Sequence, residues 1–395
     1  METKILVLTI SLGHMSHRIH YLLRFLEKRK INVKVFDIGF RHETQTVFEF
    51  FKNILSFPSK ALTSSKSTIS FPSLPVLGNN LGNFQVFTHF MYPFLEFILA
   101  KIISKPLDYD VIVATDPASA FVASAVMKSK TIFVYEDEDY FEDLQSGKTR
   151  SAFISILEKM ALKRADLVVS VSEPLLRRAR MVNSKCILVP NGTDLASFPR
   201  PHDTHREPFM VYAGSVVDWA GLDLVIETFA LLKKKIPWIK LRIVGDGEDK
   251  GKLERLVDNL SLQDTVFFTG RLPYGQMAEL LCKCCVGLSM FKPTKVAAFA
   301  SPLKLFDYMA AGIPIIATNI GDIGRIVRES ESGLAISWDA DEFVTAAENL
   351  LTKQVLWLGY HKRGLRYVQN YGWDNLFDGW LHEIQNRQRE TTFSS

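Results

Sequence analysis

The sequence predicts an α/β protein of two doubly wound domains, and three observations predict it. Short apolar runs of strand length alternate with stretches of helical periodicity through both halves of the chain. The alternation halts at a polar, Pro- and Gly-bearing segment, residues 191–208, and begins afresh at Phe209. The length of 395 residues suits two domains at about 150 residues each.

In the first half, residues 4–10, apolar apart from Lys4 and Thr9, read as a strand buried on both faces. A turn at Gly13 follows, and Ile19, Leu22, Leu23 and Leu26 then recur at helical spacing. Strands are expected over residues 32–38, 110–115, 131–135 and 166–171, with residues 55–83, rich in Ser, Pro, Lys, Gly and Asn, as a long loop. In the second half, strands are expected over residues 209–213, 240–244, 265–268, 286–290 and 314–317. A helix covers 222–232, and a last helix covers 373–387. Strand, helix, strand with short turns implies right-handed crossovers and parallel sheets. Two such sheets joined by a linker imply a cleft, into which the carboxyl ends of the strands point.

Composition excludes several classes. Hydrophobic residues make up 47% and charged residues 23%, which rules out wholesale disorder and a coiled-coil rod. Lys+Arg of 47 against Asp+Glu of 43 leaves a charge of only +4, so no nucleic-acid partner is expected. Four cysteines do not make a disulfide framework, and a reducing, cytoplasmic setting fits. The apolar run at residues 5–10 is too short for a signal peptide. Residues 90–103 carry Pro93, Glu96 and Lys101 and fall short of the roughly 20 apolar residues that a span requires.

The chemistry concentrates at residues 301–314. Ser301 suits an N-cap, Pro302 the first helical position, and Gly312 with Pro314 a stop, so a helix is expected over 302–311. The free N–H groups at its start make an anion site. Lys304 and Asp307 are three apart and share a face. A lysine there can meet a diphosphate, and the carboxylate a turn further on can accept from ribose hydroxyls. The same spacing also suits a plain surface ion pair, worth under about 1 kcal/mol.

Six segments then occur in an order that resembles glycosyltransferase family 4, retaining enzymes of the GT-B fold. They are Val189-Pro190-Asn191-Gly192-Thr193-Asp194, Tyr212-Ala213-Gly214-Ser215, residues 222–229, Ile243-Val244-Gly245-Asp246-Gly247, Phe268-Thr269-Gly270-Arg271-Leu272 and residues 301–318. The resemblance covers residues 185–340 and implies two Rossmann-like domains facing across a cleft. Residues 1–190 would bind the acceptor and 209–370 the nucleotide sugar, and the helix of 371–395 would cross back to the first domain. It implies that a UDP- or GDP-sugar is held by Gly13, Gly214, Ser215, Gly245, Asp246, Gly247, Arg271, Ser301, Pro302, Leu303, Lys304 and Asp307. No metal is required. The acceptor hydroxyl attacks from the front face, and the donor's own phosphate takes its proton. Lys304 is the expected catalytic cation, with Lys292, Lys295 and Arg271 in reserve.

Two departures stand out. Phe299 occupies the first acidic position of the family's acid-x7-acid pattern, whose second position is Asp307, and residues 215–221 lack the basic pair of many relatives. They motivate an alternative, a non-catalytic GT-B module that binds nucleotide or glycan as a partner subunit.

Acceptor features lie in the first half. Residues 136–143 hold six acids in eight positions at a strand's end. Asp139 resembles the acidic residue that faces the acceptor hydroxyl in some relatives, and is the second expected catalytic group; most of the others read as a solvated turn. His14, His17 and His20 lack the companions of a metal site, and Cys282, Cys284 and Cys285 read as small buried hydrophobes. Residues 52–105 combine five lysines and seven phenylalanines with a single acid, Glu96. Such a stretch can rest on anionic lipid, which suggests a glycan or lipid-linked acceptor and a peripheral position on the cytoplasmic membrane face.

Overall fold

The computed structural model describes residues 3–11, 16–39, 68–70, 109–141, 148–199 and 206–393. The chain divides into two units. One comprises Met1–Val171, Leu175–Val189 and Phe377–Ser395; the other comprises Ser172–Pro174 and Pro190–Leu376.

The first unit holds a seven-stranded parallel sheet in the order β3-β2-β1-β4-β5-β6-β7. Its strands are β1 (Lys4–Ser11), β2 (Asn32–Gly39), β3 (Thr68–Ser70), β4 (Val111–Ala114), β5 (Ile132–Asp137), β6 (Leu167–Ser170) and β7 (Cys186–Leu188). Helices α1 (His17–Lys28), α2 (Pro117–Val126), α3 (Lys148–Arg164) and α4 (Glu173–Arg180) connect them. The order reverses direction at β1/β4, the topological switch point of a doubly wound sheet. Ser16 caps α1, accepting from the Ile19 N–H at 3.2 Å. Asp116 caps α2 in a reciprocal box with Ser119, and Pro117 takes the first helical position.

The second unit holds a six-stranded parallel sheet in the order β10-β9-β8-β11-β12-β13. These are β8 (Phe209–Ala213), β9 (Lys240–Val244), β10 (Val266–Gly270), β11 (Val286–Ser289), β12 (Ile315–Thr318) and β13 (Gly333–Ile336). One face is covered by α5 (Leu222–Lys235), α6 (Lys250–Asn259) and, past β13, α11 (Ala340–Thr352). The other is covered by α7 (Tyr274–Leu281), α8 (Lys295–Phe299), α9 (Leu303–Ala310) and α10 (Gly321–Ser330). Helix α12 (Gln354–Val368) packs against α9 and α11.

The last helix, α13 (Trp373–Phe393), belongs to the first unit from Phe377 onward. There Trp380 and Phe377 are fully buried, and the Phe377 ring lies 5.7 Å from that of Phe25. Trp380 Nε1 donates to Glu136 Oε1 at 2.6 Å, and Arg18 Nε donates to Glu136 Oε2 at 2.9 Å.

The expected strands agree with those observed to within two residues. Strands β3, β7 and β13 were not anticipated. Each is three or four residues long, too short for a period to show, and β3 falls inside the segment expected to be loop. The acidic run at the end of β5 is corrected: Glu136 and Asp137 are fully buried rather than solvated. Arg18 and Trp380 hold Glu136. Asp137 Oδ2 accepts from Ser170 at 2.9 Å, while its Oδ1 has no partner among the described residues. Burial pushes the Asp137 carboxyl up to about 7 against the pull of Arg178, and Glu138 up to about 8.

Candidate nucleotide-sugar site

The site is built at the carboxyl ends of β8 and β9 and at the start of α9. Chain leaving β8 turns at Gly214 and chain leaving β9 at Gly245, with φ of +148° and +140°. The two turns are pressed together: the Gly214 N–H donates to Val244 O at 2.9 Å, and a Cβ on Gly245 would lie 1.8 Å from Gly214 O. Only glycine meets both demands at these positions. Beyond them, the Val216 N–H donates to Asp246 O at 3.1 Å, and Tyr212 donates to Ser215 O at 2.7 Å. Tyr308 ties the end of β8 to β11, accepting from the Ala213 N–H at 2.8 Å and donating to Leu288 O at 3.0 Å.

Lys304 enters this backbone nest from α9. Its Nζ lies 3.7 Å from the centroid of the Tyr212 ring and 5.0 Å from that of Phe291. A Cβ on Gly214 would lie 2.8 Å from Nζ, so the ammonium rests against the bare Cα of that turn. Lys304 has no ion-pair partner among the described residues, and it does not pair with Asp307. Burial pulls the ammonium down to about 7. The residue keeps a partly solvent-facing edge, and both π faces favour the charged form, so the ammonium stays well populated at pH 7 and gives way to the amine above it. The N–H groups of Leu303 and Lys304 have no acceptor among the described residues. A cation, two amides and a helix dipole therefore lie together at the start of α9.

One turn on, Asp307 is 7% exposed, and its Oδ1 accepts from Thr193 Oγ1 and from Tyr274 OH, both at 2.7 Å. Burial raises the carboxyl to about 6, opposed by these two hydroxyls and reinforced by Asp194. Thr193 is set in place by backbone: its N–H donates to Tyr371 O at 3.0 Å, and it bridges to Gly372. The Tyr371 ring stacks on Phe306 at 4.9 Å. The segments 189–194 and 371–373 thus meet beneath α9.

The expected site residues fall as follows. Gly214, Ser215, Gly245, Asp246 and Gly247 form the two apposed turns, with Asp246 exposed and its Oδ1 accepting from the Gly247 N–H at 3.0 Å. Arg271 is exposed just beyond β10. Pro302, Leu303, Lys304 and Asp307 lie at the start of α9 and in its second turn. Ser301 is not the N-cap: α9 begins at Leu303 with Pro302 in the cap position, so the serine stands one place too early. Its carbonyl accepts from Asn191 Nδ2 at 2.7 Å, and its buried Oγ has no partner among the described residues. Lys292 is not a free reserve, because it pairs with Asp218 at 2.6 Å and Asp223 at 2.9 Å. Lys295 is exposed on α8. The Phe299 carbonyl accepts from Ser172 at 2.7 Å.

Asp139 follows β5 in the first unit. Its side chain is exposed, and the chain mass around it still raises its carboxyl to about 6. Gly13, His14, Glu142 and Asp143 lie outside the described residues, as do residues 52–105 apart from 68–70. Thr193 and Tyr274 are site residues that the sequence reading assigned no role. Thr193 sits in a quoted motif, but nothing marks Tyr274. A surface depression of about 370 Å³ beside α7 is lined by Glu207, Arg242 and Lys283 among others. Glu207 already neutralises Arg242 there at 3.2 Å, so this depression offers an anion less than the Lys304 nest does.

Two doubly wound parallel-sheet units in one chain are the architecture of the GT-B fold class. Two family models match in succession, Glycosyltransferase Family 4 over residues 15–197 and Glycosyl transferases group 1 over residues 197–364. The chain belongs to the group 1 glycosyltransferases. An uncharacterized glycosyltransferase of Haemophilus influenzae is 22% identical, over 70% of this chain and 76% of that protein. Against several other curated relatives, the chain spans about half of their length or less. Among solved structures, sucrose-phosphate synthase from Thermosynechococcus elongatus superposes with a TM-score of 0.70 at 19% identity, covering 100% of both chains. Anabaena HepE in complex with UDP-glucose gives 0.69 at 15% identity, covering 99% of this chain and 100% of that one. Among the described residues, no helix is long and apolar enough to cross a membrane.

Proposed function

We propose that this glycosyltransferase is a retaining enzyme that moves a hexosyl group from a nucleotide-diphosphate sugar to a glycan or lipid-linked acceptor. The observation that carries the reading is the Lys304 ammonium, without an ion-pair partner among the described residues, on Tyr212 and Phe291, against Gly214 and one turn before Asp307. In this reading the diphosphate lies on Lys304 and the free amides of Leu303 and Lys304. The ribose meets Asp307, and the turns at Gly214, Ser215, Gly245, Asp246 and Gly247 border the donor, with Arg271 at the rim. HepE holds UDP-glucose, which supports a uridine donor here.

As the bond from the anomeric carbon to the phosphate oxygen breaks, charge grows on the diphosphate, and the fixed cation stabilises it. The acceptor oxygen bonds to that carbon on the same face, and its proton passes to the departing phosphate oxygen. The donor's own charge distribution thus supplies the base, and the fixed cation removes the need for a metal. Asp139 would orient the acceptor hydroxyl. The basic, aromatic stretch of residues 52–105 supports a lipid-linked acceptor presented at a membrane face.

The test is transfer from a panel of UDP- and GDP-sugars. Lys304→Ala and Asp307→Ala should each reduce turnover about a hundredfold or more, and unchanged rates would refute the assignment. Phe299 in place of an acid favours one second reading, a module that binds nucleotide without turnover. Tight UDP or GDP binding with no transfer to any acceptor would select it.

A further inference from the structure

Helix α7 leaves part of the second sheet bare. Along β10, Val266 and Phe268 pack toward α5 and α6, so Phe267 and Thr269 take the opposite face. Phe267 is 38% exposed there. Arg242 shares that face from β9, its guanidinium 3.5 Å from the centroid of the Phe209 ring. Lys240 Nζ lies 5.7 Å from the Phe209 ring and 5.8 Å from that of Phe267. On α7, Ala278 and Leu281 face the core. Gln276, Glu279, Leu280 and Lys283 recur at i, i+3, i+4 and i+7 and form one stripe on another side. That stripe and the bare sheet edge line the depression of about 370 Å³.

The polar groups of this depression are largely unspent. The side chains of Gln276, Glu279 and Lys283 make no hydrogen bond or ion pair among the described residues. Glu279 and Lys283 stand in the i,i+4 order that favours an ion pair on a helix, yet they do not form one. Charge across the depression balances, Glu207 and Glu279 against Arg242 and Lys283. A phosphate here would meet two carboxylates, and a polyamine would meet two cations. A neutral ligand rich in hydroxyls suffers neither repulsion, since every hydroxyl both donates and accepts. The volume lies at the lower end of small-ligand sites. From Gln276 to Lys283 the helix advances about 10 Å, room for a short saccharide. Leu280 and, further along β10, the Phe267 ring offer apolar surface to the C–H face of a sugar ring.

We propose that this depression is a saccharide-binding site separate from the donor nest, holding a neutral glycan segment through Arg242, Gln276, Glu279 and Lys283. Tyr274, the α7 residue that reaches Asp307, stands two positions from Gln276 and so on a different side of the helix. The choice of a saccharide over other polyols rests on the glycan acceptor proposed above, but the depression uses no residue of the donor site. A glycan engaged here takes no part in the chemistry. It tethers its own chain to the transferase and raises the effective concentration of that chain.

The experiment is saturation-transfer NMR of the full chain with maltotriose, cellotriose and chitotriose. At least one should bind with a dissociation constant of about 1 mM, and equally well when UDP is present in excess. Gln276→Ala and Glu279→Ala remove exposed side chains and should each weaken that binding about fivefold or more. Both should leave the melting temperature and the nucleotide affinity unchanged. Thr269→Trp, which fills the depression, should abolish sugar binding. No binding by any of the three sugars at about 10 mM overturns the proposal. So does binding that all three variants leave intact, or displacement of the sugar by inorganic phosphate or UDP. Lys304→Ala separates this site from the donor reading. Sugar binding that survives in that variant while UDP binding is lost supports two sites, and sugar lost together with UDP overturns the proposal. If UDP and GDP bind nowhere while a trisaccharide still binds and responds to Glu279→Ala, the donor reading falls and this site stands.

Discussion

Lys304→Met should make the protein more stable and unable to hold nucleotide. Methionine keeps an apolar stem over Tyr212 and Phe291, which lie 3.7 and 5.0 Å from the ammonium it removes. The lysine falls from 10.5 to about 7 on folding, through burial. At about 1.4 kcal/mol per pH unit, holding it charged at pH 7 costs at most about 5 kcal/mol. The two π faces return about 1–2 kcal/mol, and the solvent-facing edge of the chain offsets more. A gain of about 2 kcal/mol remains, or roughly 4–8 °C in Tm for a unit of this size. The sign follows from linkage. Between about pH 7 and 10.5 the unfolded chain binds this proton and the folded chain does not, so the unmodified protein gains stability as pH rises through that window. The methionine variant has no such gain, so the two stabilities should converge by the upper end. Urea unfolding at pH 7 and pH 10, with and without UDP and GDP, measures all of this. A variant less stable than the parent at pH 7, or one still protected by nucleotide, would refute the idea that burial of this cation costs stability and that it binds the diphosphate.

Other substitutions test the surrounding frame. Gly245→Ala brings a methyl group within 1.8 Å of Gly214 O and should cost several kcal/mol, seen as a lower urea midpoint and lost nucleotide protection. Arg18→Met leaves the buried Glu136 with Trp380 as its one side-chain donor among the described residues and should cost about 3–5 kcal/mol by urea unfolding. Asp137 is raised from 3.8 to about 7, so its stabilising share is present below pH 4 and is lost as pH rises through 7. Asp137→Asn should therefore raise the melting temperature at pH 8 relative to the parent and leave no such advantage at pH 4.

The sequence showed most of the sheet, because strands such as β8 and β9 are apolar runs bounded by Gly or Pro. It also placed Lys304 and Asp307 together, since i,i+3 spacing on a helix is a local fact. What it left out lies far apart in the chain. Thr193 and Tyr274 reach Asp307 across 114 and 33 residues, and Tyr212 with Phe291 lie beneath Lys304 from two other strands' ends. No periodicity encodes such meetings. Lys292 looked like a spare cation because Asp218 and Asp223, which neutralise it, stand 74 and 69 positions earlier. Glu136 and Asp137 read as solvated because charge runs usually are. The partners that permit burial of Glu136, Arg18 and Trp380, are separated from it by 118 and 244 residues.

The last of these separations bears on biosynthesis. A ribosome delivers Glu136 long before it delivers Trp380, and Arg29 is made 349 residues ahead of its partner Asp378. The second unit ends at Leu376, whereas the first takes in residues from Phe377 onward, among them the buried Phe377 and Trp380 of its core. Nascent chains should therefore complete their later-made half first. The earlier-made half should stay open to proteases and chaperones until the closing helix emerges, an inversion of the usual amino-terminus-first order.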